Sequence, residues 1–173
     1  MATTDLFDLH GKTALVTGGS GALGSAMCAG LAGAGARVAI MGRRSEPCEQ
    51  VAATIRANGG TALAVVADVL DRPALERAAQ TIVAQLGPVD ILVNGAGGNQ
   101  PGATTGADQA FFDLDITAFT EVFDANMTGA VLCSQVFGRM MAERRQGCIV
   151  NIASMASMRP MTRVVAYSAA KAA

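Results

Sequence analysis

Along the chain, short unbroken apolar runs alternate with longer stretches in which apolar residues recur at helical spacing. Five such runs predict strands over 13–17, 37–41, 61–67, 90–94 and 148–152. The stretches between them predict helices over 22–34, 45–58, 71–86 and 117–143, with a last helix from near Val164. Ser45 and Asp71 stand where helix N-caps belong, and Pro73 falls in the first turn of the third helix. Gly59-Gly60 and Gly87-Pro88 punctuate the pattern. Apolar strands joined by helices of about 12 or more residues call for a parallel sheet, because parallel neighbours need long crossovers. Right-handed crossovers then predict an α/β fold with a doubly wound sheet. No repeat or linker interrupts the pattern, so 1–173 reads as a single domain. The most loop-like stretch, 95–107 (G-A-G-G-N-Q-P-G-A-T-T-G-A), follows the carboxyl end of the fourth strand, where such sheets bind ligands.

Composition narrows the functional classes. Hydrophobic residues make up 51% and charged residues 16%, which favours a well-buried core over disorder. With net charge −1 and scattered cations, a nucleic-acid partner is not expected. No apolar run reaches the roughly 18 residues of a membrane span, so no membrane partner is expected either. The first eight residues carry acids and lack an apolar stretch, which predicts no secretory signal and a cytoplasmic location. Cys28, Cys48, Cys133 and Cys148 lack metal-ligand spacing and read as reduced thiols. His10 is the only histidine, which excludes a His-ligated zinc site and a Ser-His-Asp triad. Proton transfer must then use Tyr, Lys, Cys or a carboxylate.

The first strand runs into T-G-G-S-G-A-L-G at 17–24, in which Gly19, Gly21 and Gly24 satisfy G-x-G-x-x-G. Such glycines let the chain turn tightly and approach a pyrophosphate, while the following helix offers free N–H groups to the phosphates. No lysine follows the last glycine, which disfavours a P-loop. At the end of the second strand, where an acid would hold the ribose 2′-hydroxyl of NAD, the chain has Met41-Gly42-Arg43-Arg44. Arg43 can pair with a 2′-phosphate, so NADP(H) is favoured and NAD(H) remains an alternative.

Tyr167 is the only tyrosine, and Lys171 follows four residues later, on the same face of a helix. A neighbouring ammonium favours the phenolate, which suits the pair to proton transfer. Asn151-Ile152-Ala153-Ser154 closes the fifth strand thirteen residues before Tyr167. Together with Asp68-Val69, N-G-A-G at 94–97, A-N-M-T-G around Asn126 and Y-S-A-A-K at 167–171, the chain resembles the short-chain dehydrogenase/reductase family from about Leu6 onward. One departure is Ala22, where the commonest family pattern has glycine; Gly21 supplies the middle glycine instead.

The resemblance implies a Rossmann-type NAD(P)-binding domain that interconverts an alcohol and a carbonyl by hydride transfer. Tyr167 would be the acid/base at the substrate oxygen. Lys171 would support it and hold the nicotinamide ribose, and Ser154 would polarise the substrate oxygen. Asn126 would anchor a water that links Lys171 to solvent. Gly18, Gly19, Ser20, Gly21, Leu23 and Gly24 would cradle the phosphates, and Asp68 with Val69 would lie at the adenine. Asn94, Gly95 and Ala96, with Tyr167 and Lys171, would line the rest of the cofactor cleft. The segments 95–105, 111–115 and 154–162 also resemble members described as D-mannonate oxidoreductases or fructuronate reductases. In that case Asn99, Gln100, Thr104 and Thr105 would face a polyhydroxy acid, and Arg159 or Arg163 its carboxylate. A methyltransferase on a similar fold offers no reason for Ser154, Tyr167 and Lys171 at these spacings. The chain stops at Ala173, less than a turn beyond Lys171. The expectation is therefore a molecule shortened at its C-terminal end, whose full-length form is a dimer or tetramer. The alternative function is a truncated, inactive nucleotide-binding protein.

Overall fold

A computed structural model describes residues 6–159 and 161–173. Five parallel strands, β1 (Thr13–Thr17), β2 (Arg37–Gly42), β3 (Thr61–Val66), β4 (Ile91–Asn94) and β5 (Cys148–Asn151), form one sheet in the order β3-β2-β1-β4-β5. The chain walks outward from β1 through β2 to β3, then returns to β1's other side with β4 and β5. The crevice where the order reverses lies between β1 and β4, at their carboxyl ends.

Side-chain alternation sends β1 to two cores. Leu15 joins Met41, Leu92, Leu75, Ile82 and Phe137 on the face covered by α3 (Arg72–Leu86) and α5 (Gly129–Arg144). Val16 joins Val38, Ile40, Val93, Cys28 and Ile55 on the face covered by α1 (Ala22–Gly33) and α2 (Ser45–Ala57). All of β1 is buried, as an unbroken apolar run in a two-sided sheet requires. Buried polar groups at its start are paired: Thr13 donates its hydroxyl to the Leu86 carbonyl at 2.8 Å and its N–H to Asp90 at 3.0 Å.

Helix ends agree with the sequence in one case and correct it in another. The Asp71 carboxylate accepts the Ala74 N–H at 3.1 Å, so Asp71 caps α3 with Pro73 in its first turn. Ser45 caps nothing: it is already the first residue of α2, and Arg44 occupies the cap position without a side-chain bond. The single long helix expected over 117–143 is three pieces. Asp115 caps α4 (Ile116–Phe123) by accepting the Thr117 N–H at 2.8 Å, a π-helical turn follows over Asp124–Thr128, and α5 completes the run. One extra residue in a turn does not disturb apolar periodicity enough to be visible in the pattern, yet such turns frequently mark functional sites. Beyond β5 lie α6 (Met155–Met158), not foreseen, and α7 (Val165–Ala172).

Candidate active site

The Gly-rich turn is built by close approach. Gly18 has φ +66, and a Cβ there would stand 2.8 Å from the Ala96 Cα and 2.9 Å from the Gly95 carbonyl. A Cβ on Gly24 would lie 2.2 Å from the Gly18 carbonyl, and one on Gly19 would lie 2.9 Å from Ile40. These three glycines are required by the protein's own packing. Gly21 differs. Its φ of −76° suits any residue, and a Cβ would touch only the Gly18 carbonyl at 3.4 Å. It caps α1 with no side-chain bond and no acid in the first turn, leaving that helix end open to an anion. The residues here fit a dinucleotide: a small backbone cradle, an uncapped helix, and exposed Leu23 beside it.

Thr17 organises this crevice. Wholly buried at the end of β1, its hydroxyl accepts the N–H groups of Gly95 and Ala96 at 3.1 and 3.0 Å. It pins the strand exits of β1 and β4 together, a role the sequence reading did not give it. The one available signal was a hydroxyl closing a buried strand. Ser20 lies over Gly42, where a Cβ would be 3.2 Å from its Oγ, next to exposed Arg43 at the end of β2. Asp68 closes its own turn by accepting the Leu70 N–H at 3.0 Å, and Val69 packs on Gly129, where a Cβ would come within 2.5 Å of it.

Asn94 is turned inward. Its amide donates to Asn151 Oδ1 at 2.8 Å and Ser134 Oγ at 3.0 Å, while its own Oδ1 is buried without a partner. Asn126 is buried in the π-turn and clamps Gly98 from both sides: Oδ1 accepts the Gly98 N–H at 3.2 Å and Nδ2 donates to the Gly98 carbonyl at 2.7 Å. Its second amide hydrogen goes to the Val122 carbonyl at 2.7 Å. Gly97 makes the clamp possible, since a Cβ there would lie 2.3 Å from Asn126 Oδ1.

Lys171 and Tyr167 share one face of α7. The Lys171 Nζ lies 5.8 Å from the centre of the Tyr167 ring and donates to the Ile152 carbonyl at 2.8 Å. That carbonyl stands two residues before Ser154, so a single bond ties the lysine to the strand exit that carries the serine. Ser154 caps α6, accepting the Ala156 N–H at 3.2 Å, which leaves its own proton free to donate. Among the described residues no hydrogen bond joins Ser154 to Tyr167. Half-buried Tyr167 packs with Ala103, Val122 and Ala166. Lys171, Asn126, Asn94 and Asn151 line one open cleft of about 450 Å³.

The loop after β4 is ordered by its own bonds. Asn99 donates to Thr104 Oγ1 at 2.8 Å, Thr104 donates to the Gln100 carbonyl at 2.8 Å, and Gln100 donates to Glu121 at 2.9 Å. The Thr105 N–H reaches the Arg163 carbonyl at 2.8 Å.

The sequence model of the short chain dehydrogenase family matches residues 12–173. The chain belongs to this family. An uncharacterized oxidoreductase of Bacillus subtilis, UxuB, is 52% identical over 173 residues, which cover 95% of this chain and 62% of that protein. A structure given provisionally as a D-mannonate oxidoreductase from Haemophilus influenzae, with bound NAD, has a TM-score of 0.92 and 35% identity over 98% of this chain and 64% of its own. A gluconate 5-dehydrogenase from Burkholderia cenocepacia, in complex with NADP and tartrate, has a TM-score of 0.86 and 31% identity over 98% of this chain and 64% of its own. The chain thus spans under two thirds of the length of these relatives. Family membership supports NAD(P) as the class of cofactor, since one neighbour holds NAD and the other NADP. No helix among the described residues is long and apolar enough to cross a membrane.

Proposed function

We propose that this protein interconverts a secondary alcohol and a carbonyl on a sugar acid, with NADP(H) preferred as the hydride partner. The observation that carries the reading is the Tyr167–Lys171 face of α7, tied through the Ile152 carbonyl to the strand exit that presents Ser154. A bound nicotinamide would supply or accept the hydride.

The chain's own residues manage the proton and the orientation. In oxidation the Tyr167 oxygen takes the proton of the substrate hydroxyl; in reduction it returns it. Lys171 stands on the same face of α7, its Nζ 5.8 Å from the centre of the Tyr167 ring, where it would also hold the nicotinamide ribose. Ser154 donates its free proton to the same substrate oxygen and stabilises the charge that develops there. Both amide hydrogens of Asn126 are engaged by protein carbonyls. A water relay through Asn126 would therefore have to use an oxygen of this residue rather than its amide hydrogens. Exposed Arg43, at the carboxyl end of β2 beside Ser20, supports the NADP(H) preference. The sugar acid is supported by the likeness to the structure given provisionally as a D-mannonate oxidoreductase and to a gluconate 5-dehydrogenase.

The test is nicotinamide absorbance with D-mannonate and D-gluconate as substrates, in the parent chain and in Tyr167→Phe. Loss of the acid/base should lower kcat by about 1,000-fold while cofactor affinity holds. Equal turnover by the variant would remove Tyr167 from the mechanism. Cofactor binding with no hydride transfer in the parent would leave a nucleotide-binding protein.

A further inference from the structure

If the substrate is an acid, a cation near the strand exits is a fitting partner for its carboxylate, and few are available there. The loop after β4 contributes only acids over 95–115: Asp108, Asp113 and Asp115. Arg43 and Arg44 follow β2, across the sheet from β4 and β5. Arg144 and Arg145 end α5, at the opposite edge from the strand exits, where Arg144 pairs with Asp90 just ahead of β4. At the carboxyl ends of β4 and β5 this leaves Arg159, Arg163 and Lys171, and Lys171 is bonded to Ile152.

The two arginines are held differently. Arg159 follows the short α6, its N–H returned to the Met155 carbonyl, and no hydrogen bond among the described residues links it to the loop. Arg163 is linked: its carbonyl accepts the Thr105 N–H at 2.8 Å. Two residues before Thr105, fully buried Ala103 packs in the same cluster as Ala166 and Tyr167. The Arg163 backbone is thereby fixed where the loop meets the helix that carries Tyr167. Its φ is +72, a left-handed conformation that non-glycine residues rarely keep unless their surroundings impose it. The neighbouring polar side chains Asn99, Gln100 and Thr104 are engaged with one another or with Glu121. The Arg163 guanidinium is exposed and has no hydrogen bond or ion pair among the described residues.

We infer that Arg163 is the residue that reads the substrate's carboxylate and so sets the preference for sugar acids over neutral polyols. The inference rests on the proposed function above and makes it specific: a polyhydroxy carboxylate, held at its acid end by the guanidinium fork while Tyr167 and Ser154 address a hydroxyl further along the chain.

The experiment compares D-mannonate and D-gluconate with the alditols D-mannitol and D-sorbitol, which keep the carbon number and lose the charge. Calorimetric affinity for the cofactor-saturated chain and kcat/KM are measured in parallel for the parent, Arg163→Met and Arg163→Lys. Loss of one partner of a charge-assisted pair should lower acid affinity and kcat/KM about 100-fold in Arg163→Met, with kcat nearly unchanged and the alditols unaffected. Arg163→Lys, with charge but no fork, should fall between. Added salt should raise KM for the acids in the parent and leave it flat in Arg163→Met. Cofactor affinity, read from the fluorescence of the chain's only tyrosine, should not move. A parent that prefers the acids, with an Arg163→Met variant that prefers them equally, overturns the role of Arg163 alone. A parent that binds alditols as well as acids, or binds neither, overturns the sugar-acid reading and the role of Arg163 with it.

Discussion

The turn after β1 and the segment from β5 to α7 both contribute to the crevice, and they are held by different means. At the turn, Gly18, Gly19 and Gly24 are dictated by backbone and side chains within 3 Å of where a Cβ would stand, and the strand feeding it is wholly buried. Beyond β5, Ser154 caps α6, and Tyr167 and Lys171 stand one turn apart on α7. Tyr167 packs on Ala103, Val122 and Ala166, whereas Lys171 is placed by its bond to the Ile152 carbonyl and Ser154 by its cap on Ala156. The nucleotide end is therefore preformed by packing, so its substitutions should appear as lost stability. The reactive end is set by directed polar contacts, so substitutions there should appear as lost rate with the fold intact.

The sharpest way to break that contrast lies within the turn itself. Gly24→Ala puts a methyl 2.2 Å from the Gly18 carbonyl and should cost about 3 kcal/mol, read as a drop in thermal or urea midpoint. Gly21→Ala meets nothing closer than 3.4 Å. There the loss of a tolerated cap and the gain from a stiffer unfolded chain should roughly cancel, within about 0.5 kcal/mol. Its methyl would instead face the pyrophosphate, so NADPH affinity should fall at least about tenfold while the fold holds. If the two alanine variants unfold alike, glycine at this turn is not dictated by packing as described.

Arg43 tests the nucleotide end from its rim, where packing has no part. It is exposed, next to Ser20, with no partner among the described residues. Arg43→Glu should weaken NADPH about 100-fold by removing a charge-assisted pair and adding repulsion, with unchanged thermal stability. NADH should be affected little or improved, because an acid suits a free ribose hydroxyl. Equal loss of both nucleotides would make Arg43 a general phosphate contact and remove the basis for preferring NADP(H).

How far each region was legible follows the same divide. The five strands, their parallel pairing and the Gly-rich turn were readable because unbroken apolar runs and glycine spacing are local signals. β1 falls where its run predicted; β2 is one residue longer than its run, and β3, β4 and β5 are each one residue shorter at one end. α6 was not readable, because it is four residues long and is specified by a cap, Ser154, that the motif had already claimed for chemistry. The π-turn that holds Asn126 was hidden inside continuous helical periodicity. Thr17 on Gly95 and Ala96, and Asn126 on Gly98, join residues far apart in sequence, so only the fold reveals them. The same limit applied to Asn99 and Gln100, whose polarity suggested contact with a substrate but which the structure pairs with Thr104 and Glu121.

The four cysteines sample both regions and give the smallest, most graded test. Cys28 and Cys48 lie buried behind the Gly-rich turn and Cys133 is buried on the inner face of α5, whereas Cys148 is exposed on β5. Burial pushes the Cys28 and Cys133 thiols up to about 12, with neighbouring Cys48 adding to the shift at Cys28. A chromogenic disulfide reagent at pH 8 should accordingly titrate one thiol in the native chain and four in urea. The linkage has a definite sign. The folded state keeps two protons that the unfolded chain releases above its ordinary thiol value near 9, so this stabilisation is complete below about pH 9 and is lost as pH rises toward 12. The urea midpoint should therefore decline more steeply between pH 8.5 and 10.5 in the parent than in a chain with Cys28→Ala and Cys133→Ala. Parallel declines would mean that these thiols are not held protonated by burial. Rapid labelling of Cys28 or Cys48 in the native chain would mean that the nucleotide end is looser than its packing implies, which removes the contrast with β5 at its source.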